Sequence, residues 1–329
     1  MKKYDCLFVG NAIVDVVANV SFEFLKDQNI DVGSWRPTKL DEISQLQSKM
    51  KDTLVASGGS AANSAVGFSF LGGKSSFIGR VKDDEFGNLY IKDLEDANVD
   101  FVSSAVKEGD ETGRCLVYVT PDAQRSMRTY LGAASNLSPD EINDQSVEDS
   151  EFIYMEGYLW DEPVAKKACK KAYDLSRKYE TKSVLSLSDS FCVDKWRSEI
   201  RDLTKVTDII FGNEEEIMSL YDTNILSDAI SAAANEINLC IVTRGEKGSL
   251  IISSEGVEET PAFMCDKVLD TTGAGDLYAA GFLYGLSNNL RLYECAQLGS
   301  FCASQVISLL GPRPSSNLAE LAKDEGLLV

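Results

Sequence analysis

The chain of 329 residues contains no histidine. This absence excludes Ser-His-Asp and Cys-His nucleophile pairs, HExxH zinc sites and proton transfer by imidazole. Proline-rich linkers, internal repeats and low-complexity tracts are also absent. Any acid–base chemistry must therefore use carboxylates, lysine, tyrosine or cysteine.

Positive charge is scarce in this sequence. There are 32 Lys and Arg residues against 52 Asp and Glu residues, which gives a formal net charge of -20. Such a surface repels nucleic-acid backbones and anionic membranes, so we expect neither as a partner. A site for an anionic substrate must be built locally from backbone amides, cationic side chains or a metal ion.

The eight cysteines form neither a CxxC pair nor a dense framework. We therefore expect reduced, mostly buried thiols. The apolar N-terminal segment is interrupted by Asp5, Asn11 and Asp15, which fits neither a signal peptide nor a membrane helix. These features predict a cytoplasmic protein.

The composition is that of a globular protein, with 44% hydrophobic and 26% charged residues. Short apolar runs alternate with longer segments of helical periodicity, which is typical of an α/β fold with a mainly parallel sheet. Because such folds often exceed about 250 residues around one sheet, residues 1–329 are predicted to form a single domain. The apolar runs cover residues 6–9, 152–155, 184–187, 209–211 and 239–243.

Two segments, residues 13–24 and 112–131, instead show strand-like alternation with polar faces. We predict that they pair as a small second sheet, with a hairpin that turns at Pro121 and Asp122. This sheet would form a lid, from about residues 13–36 and 110–132, inserted in the α/β core. Residues 312–316, Pro-Arg-Pro-Ser-Ser, are interpreted as a local turn.

The strongest functional signal is the sequence Asp-Thr-Thr-Gly-Ala-Gly-Asp at residues 270–276, just before an apolar helical run. Gly273 and Gly275 let a ligand approach the backbone, and the free amides and dipole of a helix N-terminus favour an anion. Asp276 can then accept the proton of an attacking hydroxyl during phosphoryl transfer. The alternative is structural: Thr272 caps a buried helix and Asp276 complements its dipole.

This motif resembles the C-terminal signature of the ribokinase or PfkB family of carbohydrate and nucleoside kinases, D-T-x-G-A-G-D. Other segments of the chain also resemble family motifs. They occur in the family's order, and together with this motif they cover nearly the whole chain. The resemblance implies a three-layer αβα ribokinase-like fold with a small β-sheet lid, ATP and Mg²⁺ as cofactors, and a small sugar or nucleoside as substrate. Gly273, Ala274, Gly275 and Asp276 would form its catalytic loop.

Gly58, Gly59, Ser60 and Asn63 resemble the family's Gly-Gly-x-x-x-Asn substrate motif. Glycine lets a hydroxylated ligand lie against the backbone, and an asparagine amide both donates to and accepts from hydroxyl groups. A loop followed by a closely packed helix of small residues is the structural alternative.

Asn11 and Asp15 follow the first predicted strand and resemble family residues that contact sugar hydroxyls. An ionised Asp15 would make charge-assisted hydrogen bonds to hydroxyl donors. A turn-forming Asn beside a solvated Asp is the alternative. In the predicted hairpin, Arg125 would grip the substrate or neutralise phosphate, whereas Arg128 fits a solvated strand face slightly better.

Asn213 and Glu216 resemble the family's Asn-x-x-Glu element, which lies near the magnesium ion and the phosphates. Mg²⁺ usually keeps several waters, so Glu216 would act directly or through water. An acidic helix N-terminus without a ligand is the alternative.

Thr243 and Gly245 resemble a family element that lies along the nucleotide. Asp270 and Thr272 resemble the side of the catalytic loop that can hold a monovalent cation such as K⁺. The ATP site implied by the resemblance comprises Asn213, Thr243, Gly245, Gly273 and Gly275.

The sequence thus predicts an ATP-dependent phosphotransferase that acts on a hydroxyl, taken to be primary, of a small sugar or nucleoside. Residues 10–15 and 112–134 look closest to adenosine-kinase-like members, with ribose, fructose and 2-keto-3-deoxygluconate as alternatives. A non-catalytic sugar or nucleotide sensor is a second class. A dinucleotide-dependent oxidoreductase would need GxGxxG after the first strand, which residues 9–12 lack. The lid edge allows either a monomer or a homodimer.

Overall fold

The computed structural model describes residues 2–122, 124–265 and 267–328. The strands in these residues are β1 Tyr4–Val9, β2 Ile13–Asn19, β3 Trp35–Pro37, β4 Leu54–Gly58, β5 Ser75–Ile78, β6 Val99–Phe101, β7 Gly113–Val119, β8 Arg125–Tyr130, β9 Ser150–Glu156, β10 Lys182–Ser186, β11 Ile209–Asn213, β12 Leu239–Thr243, β13 Ser249–Ser253 and β14 Gly256–Thr260. The α-helices are α1 Phe22–Asp27, α2 Leu40–Gln47, α3 Ser60–Phe70, α4 Glu85–Asp96, α5 Asp144–Glu148, α6 Pro163–Lys178, α7 Ser190–Thr204, α8 Glu214–Leu220, α9 Leu226–Glu236, α10 Ala274–Ser287, α11 Leu292–Ile307 and α12 Leu318–Asp324.

The main sheet has nine strands, in the order β14-β13-β12-β11-β10-β9-β1-β5-β6. The strands from β12 to β6 pair in parallel, and β13 and β14 add an antiparallel edge. Both faces are buried, because Cys6 and Phe8 of β1 join one apolar cluster and Leu7 and Val9 join another. Helices cover both faces, so the predicted three-layer α/β fold is confirmed.

Two helices on one face of the main sheet determine where the site lies. Helices α3 and α10 contact each other, and a Cβ placed on Gly67 of α3 would overlap the Leu277 side chain of α10. Glycine suits this close approach, because a larger side chain at residue 67 would have to displace the Leu277 side chain. The N-termini of α3 and α10 also meet, because Ser60 at the start of α3 contacts Asp276 in the first turn of α10.

The second sheet has five strands in the order β3-β8-β7-β2-β4. The predicted pairing of its two main segments is confirmed: β2 runs parallel to β7, with Asp15 opposite Cys115. The predicted hairpin is also present, because β7 and β8 are antiparallel. Residue 123, in the turn of that hairpin, lies outside the described residues.

Two details of the second sheet differ from the sequence prediction. Strand β2 ends at Asn19, not at residue 24, because the Ser21 hydroxyl accepts a hydrogen bond from the Phe24 amide and starts helix α1. Strand β4, residues 54–58, pairs with β2 and was not predicted as part of this sheet. Its sequence, Leu-Val-Ala-Ser-Gly, is too short and too mixed to indicate which sheet it joins.

The two faces of the second sheet have different surroundings. Val14, Val16 and Leu116 on one face belong to the same apolar cluster as Leu25 of α1 and Ile43 of α2. The strand registers place Asp15, Cys115, Val117, Val119, Arg125 and Met127 on the opposite face, which we call the cleft face. Arg125 reaches the loop before α10, so the cleft face is directed at the start of that helix.

The cysteines and the helix lengths can be compared with the sequence expectations. All eight cysteines have free thiols, and all except Cys265 are buried, as expected. Among the described residues, none of the helices has the length and apolar character that crossing a membrane requires.

Candidate active site

Functional side chains gather where several strands of the main sheet end. Asn11 follows β1, Glu156 ends β9, and the second sheet delivers Gly58 from β4. Helix α10 then contributes Asp276 in its first turn. Ligands of parallel α/β sheets characteristically bind beyond the carboxyl ends of the strands, so this edge is the candidate site.

The turn before α10 is possible because Gly273 has a left-handed backbone, with φ of +78°. A Cβ at Gly273 would also lie 2.9 Å from Pro312. No neighbouring atom lies within 4 Å of the position that a Cβ would take on Gly275. The Ala274 amide donates to the Thr271 carbonyl over 3.2 Å, whereas the Gly275 and Asp276 amides have no hydrogen-bond partner among the described residues and can serve an anion site.

The Asp276 carboxylate is held from α3. The Ser60 hydroxyl donates to Oδ1 over 2.6 Å, and the Asn63 side-chain amide donates to Oδ2 over 2.9 Å. The structure therefore joins the predicted catalytic loop to the predicted substrate motif. The Asn63 Oδ1 atom is buried without a hydrogen-bond partner among the described residues, so its capacity to accept a hydrogen bond is unused.

Burial raises the pKa of Asp276 from its ordinary value to about 6, while the hydrogen bonds from Ser60 and Asn63 and the charge of Arg313 oppose the increase. At neutral pH the carboxylate is still mostly ionised. It is also a stronger base than a solvated aspartate, which suits proton acceptance from a hydroxyl.

The two glycines of the substrate motif allow two close approaches. A Cβ on Gly58 would overlap the Asp15 carboxylate, and one on Gly59 would overlap the Asn11 carbonyl oxygen. Gly59 also has φ of +95°, a conformation that favours glycine. These contacts bring Asn11 and Asp15 against Gly58 and Gly59 at the start of α3, so these predicted substrate residues lie together.

Asp15 projects from the cleft face of the second sheet. Burial raises its pKa to about 6, and the charges of Arg313 and Arg125 oppose that increase. Within the described residues its carboxylate accepts no hydrogen bond, so both oxygens are available to hydroxyl donors of a ligand.

Sequence reasoning missed Glu156, which ends strand β9 and is buried. Its Oε1 accepts hydrogen bonds from the Asn11 backbone and side-chain amides, both 2.8 Å long, and its Oε2 accepts one from the Ala61 amide, also 2.8 Å. Burial raises the pKa of Glu156 to about 7. A carboxylate directly after the apolar run Phe152 to Met155 was the signal that could have found it.

Arg313 was also missed, because residues 312–316 were interpreted only as a local turn. Its guanidinium donates to the Ser57 carbonyl, the Ser57 hydroxyl and the Ala62 carbonyl over 2.7 to 3.1 Å. A single arginine in a loop gives no sequence signal of such contacts, since they depend on chain segments about 250 residues apart.

Arg125 and Arg128 have different positions. Arg125 forms an ion pair with Asp270 and donates to the Thr272 hydroxyl over 3.1 Å. A guanidinium thus contacts the two residues that the resemblance assigned to a monovalent cation. Arg128 is buried on the other face of the second sheet, where it donates to the Ser34 and Met127 carbonyls. The solvated strand face considered for Arg128 is wrong, because only 4% of the residue is exposed.

The predicted nucleotide and magnesium residues lie at the ends of β11 and β12, where Asn213 is opposite Thr243 in the strand register. Asn213 and Glu216 cap helix α8 reciprocally, with hydrogen bonds of 2.7 to 3.1 Å. Burial raises the pKa of Glu216 to about 7. Beyond β12, Gly245 has a left-handed backbone and open space around it.

Among the described residues, no group of three or more His, Cys, Asp or Glu side chains is arranged to hold a metal ion. A magnesium ion that arrives with nucleotide phosphates needs only one or two protein carboxylates and keeps water ligands. Both oxygens of Glu216 already accept hydrogen bonds from Asn213. This donor set fits contact with Mg²⁺ through water.

Comparisons with known proteins agree with this geometry. The model of the family described as "pfkB family carbohydrate kinase" matches residues 35–318. A crystal structure of a probable sugar kinase from Rhizobium etli CFN 42 is 38% identical, with a TM-score of 0.93 and 100% of both chains covered. The adenosine kinase from Sinorhizobium meliloti is 39% identical, with a TM-score of 0.91, over 98% of this chain and 99% of that chain.

A relative with a different name also matches. The 5-dehydro-2-deoxygluconokinase 2 of Bacillus cereus is 27% identical over 76% of this chain and 80% of its own length. The superpositions confirm the predicted ribokinase-like α/β fold. The family match covers most of the chain and includes Asp276, Ser60 and Asn63. This chain belongs to the pfkB family of carbohydrate kinases and is therefore a phosphotransferase.

Proposed function

We propose that the protein transfers the terminal phosphoryl group of ATP to a hydroxyl of a small sugar or nucleoside. In the proposed reaction Asp276 accepts the hydroxyl proton, the acceptor oxygen bonds to the γ-phosphorus, and the bond from that phosphorus to the β,γ-bridging oxygen breaks to release ADP. The amides at residues 273–276 stabilise charge on the transferring group. The observation that carries the proposal is the Asp276 carboxylate, fixed by Ser60 and Asn63 beside the open space at Gly275.

The acceptor is proposed to lie among Asn11, Asp15 and Asn63. The Asp15 carboxylate would accept hydrogen bonds from one or two hydroxyl groups of the acceptor. Asn63 contributes its unpaired Oδ1 atom next to Asp276. Because an unpaired buried acceptor is unfavourable, this arrangement favours ligands with adjacent hydroxyl groups. The second sheet acts as a lid in this proposal, since its cleft face carries both Asp15 and Arg125.

Nucleotide phosphates are proposed to lie between residues 273–276 and the ends of β11 and β12. Thr243 and Gly245 would line the nucleotide, and Glu216 would hold Mg²⁺ through water. Bound there, Mg²⁺ would supply positive charge to the phosphate oxygens. K⁺ is proposed as an additional ion near Asp270 and Thr272, where it would compete with the Arg125 guanidinium.

Within this proposal, the more specific candidate is adenosine as the acceptor. Cys115, Val117 and Val119 form an apolar cluster with Ile13, Val17 and Met127 on the cleft face that carries Asp15. An apolar surface beside a hydroxyl-binding carboxylate suits a base joined to a ribose, whereas a free sugar has no comparable apolar part. The identity of 39% to an adenosine kinase over nearly the whole chain supports the same substrate.

The decisive experiment measures ADP formation by the purified protein with ATP, Mg²⁺ and K⁺. The acceptor panel contains adenosine, other nucleosides, ribose, fructose, 2-keto-3-deoxygluconate and 5-dehydro-2-deoxygluconate. Selective turnover of adenosine would establish the nucleoside candidate, and selective turnover of a free sugar would establish a carbohydrate kinase. Absence of turnover on all acceptors, with ATP still bound, would refute catalysis and favour a sensor.

A further inference from the structure

Residues 311–313 lie between the two halves of the candidate site. On one side, the Gly311 amide donates to Asp270 Oδ2 over 2.9 Å, and Pro312 packs against Gly273. On the other side, Arg313 contacts the end of β4 and the first turn of α3. The segment therefore joins the catalytic loop to the substrate motif.

Arg313 contacts residues on both sides of the Gly58-Gly59-Ser60 segment of the substrate motif. Nε and Nη2 donate to the Ser57 carbonyl over 3.1 and 2.9 Å, Nη2 also donates to the Ser57 hydroxyl over 2.7 Å, and Nη1 donates to the Ala62 carbonyl over 3.0 Å. Asp93 of α4 also holds Ser57, because its carboxylate accepts hydrogen bonds from the Ser57 amide, over 2.8 Å, and from the Ser57 hydroxyl. One planar cation thus fixes the backbone on both sides of Gly58, Gly59 and Ser60.

Charge gives Arg313 a second role. The titratable groups that interact with it are Tyr90 and Asp93 of α4, Asp15 of β2 and Asp276 of α10. Its positive charge lowers the pKa values of Asp15 and Asp276, against the larger effect of burial. Burial lowers the pKa of Arg313 itself, but a guanidinium remains protonated in proteins.

We propose that Arg313 is a positioning residue for phosphoryl transfer. It holds residues 57–62 so that Ser60 and Asn63 meet Asp276, and its guanidinium places a positive charge near Asp15 and Asp276. Its hydrogen bonds within the described residues all go to Ser57 and Ala62, so it acts through the substrate motif. This inference rests on the proposed function, because its kinetic consequences concern that reaction.

The test compares Arg313→Met, which removes the charge and the donors, with Arg313→Lys, which keeps the charge but not the fork of donors. Arg128→Met is the matched control, since Arg128 is also a buried arginine that donates to backbone carbonyls, but on the face of the second sheet turned away from the cleft. Acceptor KM, ATP KM, kcat and the pH dependence of kcat/KM are measured for each protein.

For Arg313→Met we expect the acceptor KM to rise by about tenfold to a hundredfold, because the substrate motif is displaced. The ATP KM should stay within about twofold, and the acid limb of kcat/KM should move to higher pH. Arg313→Lys should return the acid limb toward its wild-type position and leave the acceptor KM raised. Arg128→Met should lower thermal stability but change neither the acceptor KM nor the acid limb of kcat/KM.

Amide hydrogen exchange of residues 57–63, measured without ATP or acceptor, separates this inference from the proposed function. Faster exchange there in Arg313→Met, with unchanged exchange in β11 and β12, supports the positioning role even if no acceptor is ever turned over. Wild-type exchange in that segment together with a wild-type acceptor KM would overturn it. Should Arg313→Met fail to fold, Arg313→Lys decides, and a wild-type acceptor KM in that variant refutes the inference.

Discussion

Arg125 of the second sheet forms an ion pair with Asp270, which lies on the loop that leads to Asp276. The two side chains are only 12% and 5% exposed. Asp270 also accepts hydrogen bonds from the Thr272 amide over 3.0 Å and the Gly311 amide over 2.9 Å. This one carboxylate therefore connects the second sheet, the catalytic loop and residues 311–313.

Removing one member of this pair should destabilise the protein and loosen the second sheet. We expect Arg125→Met to lower the free energy of unfolding by about 3 kcal/mol, since it leaves a buried carboxylate without its cation. Asp270→Asn should lower the free energy of unfolding by a similar amount. In a double-mutant cycle the effects should be far from additive, because each variant removes the same interaction.

Chemical denaturation of the four proteins measures that coupling. Arg36→Met is the control, since its ion pair with Glu42 lies on the exposed surface, where such pairs contribute about 1 kcal/mol or less. Additive effects of Arg125→Met and Asp270→Asn would show that the pair contributes nothing to stability. Turnover with and without K⁺ in Arg125→Met tests the proposed competition: K⁺ should stimulate this variant more than the wild type.

Asp276→Asn should lower kcat by about a thousandfold or more, because no other base contacts the acceptor hydroxyl in the proposed geometry. ATP affinity should change by less than about threefold, since the amides of residues 273–276 remain. Single-turnover kinetics and calorimetry provide the two quantities.

Ser60→Ala is the graded comparison for Asp276→Asn. It removes one hydrogen bond to the carboxylate and leaves the base in place, so kcat should fall by only about tenfold. If Asp276→Asn turned over at a rate near that of the wild type, Asp276 would have no role as the base.

Features formed by residues adjacent in the chain could be predicted from the sequence, whereas contacts between residues distant in the chain could not. The loop at residues 270–276 was recognisable because helix start, glycines and carboxylate are adjacent in the chain. Ser60 and Asn63 were identified from a local motif, but their contact with Asp276 spans more than 200 residues and needed the structure. Sequence periodicity describes local structure and carries no information on such pairs.

Glu156 and Arg313 show what a single sequence leaves undetermined. Each lies at a position where an exposed charge would be ordinary, one after a strand and one in a proline-flanked loop. Their roles come from burial and from hydrogen bonds to distant backbone groups. Strand β4 was missed for a similar reason, because its pairing with β2 is specified by the tertiary structure.

The pH dependence of catalysis follows from Asp276 and Asp15, whose pKa values burial raises to about 6. Both carboxylates must be ionised to work, so log kcat/KM for the acceptor should fall below about pH 6 with a slope approaching two. Asp15→Asn should reduce that slope to about one. The measurement uses excess Mg²⁺, which suppresses protonation of the nucleotide, and a rate that stays constant down to pH 5 would contradict the assignment.

The free energy of unfolding should decrease as the pH rises, whereas kcat/KM should increase. Burial raises the pKa values of Asp15 and Asp276 to about 6 and those of Glu156 and Glu216 to about 7. Groups that bind protons more tightly when folded stabilise the protein below their unfolded pKa, near 4, and that contribution is lost as the pH rises through 6 and 7.

We therefore expect the ligand-free protein to melt several degrees lower at pH 8 than at pH 5.5. Growing negative charge acts in the same direction, since the chain carries a formal charge of -20 at pH 7. Glu156→Gln should lower Tm at both values and reduce the difference between them. Calorimetry at fixed ionic strength gives the comparison, and a Tm that increases from pH 5.5 to pH 8 would show that burial of these carboxylates does not control stability.

The contact between Gly58 and Asp15 gives the most specific prediction for acceptor binding. A methyl group on residue 58 would overlap the Asp15 carboxylate, so in Gly58→Ala that side chain must rotate away. We expect the acceptor KM to rise by about tenfold to a hundredfold and the ATP KM to stay unchanged. Gly109→Ala is the comparison for backbone strain alone, because open space surrounds that position and its φ is +103°, whereas Gly58 has no positive φ. In an Asp15→Ala background, Gly58→Ala should add little, whereas an equal further increase in KM would mean that residue 58 acts independently of Asp15.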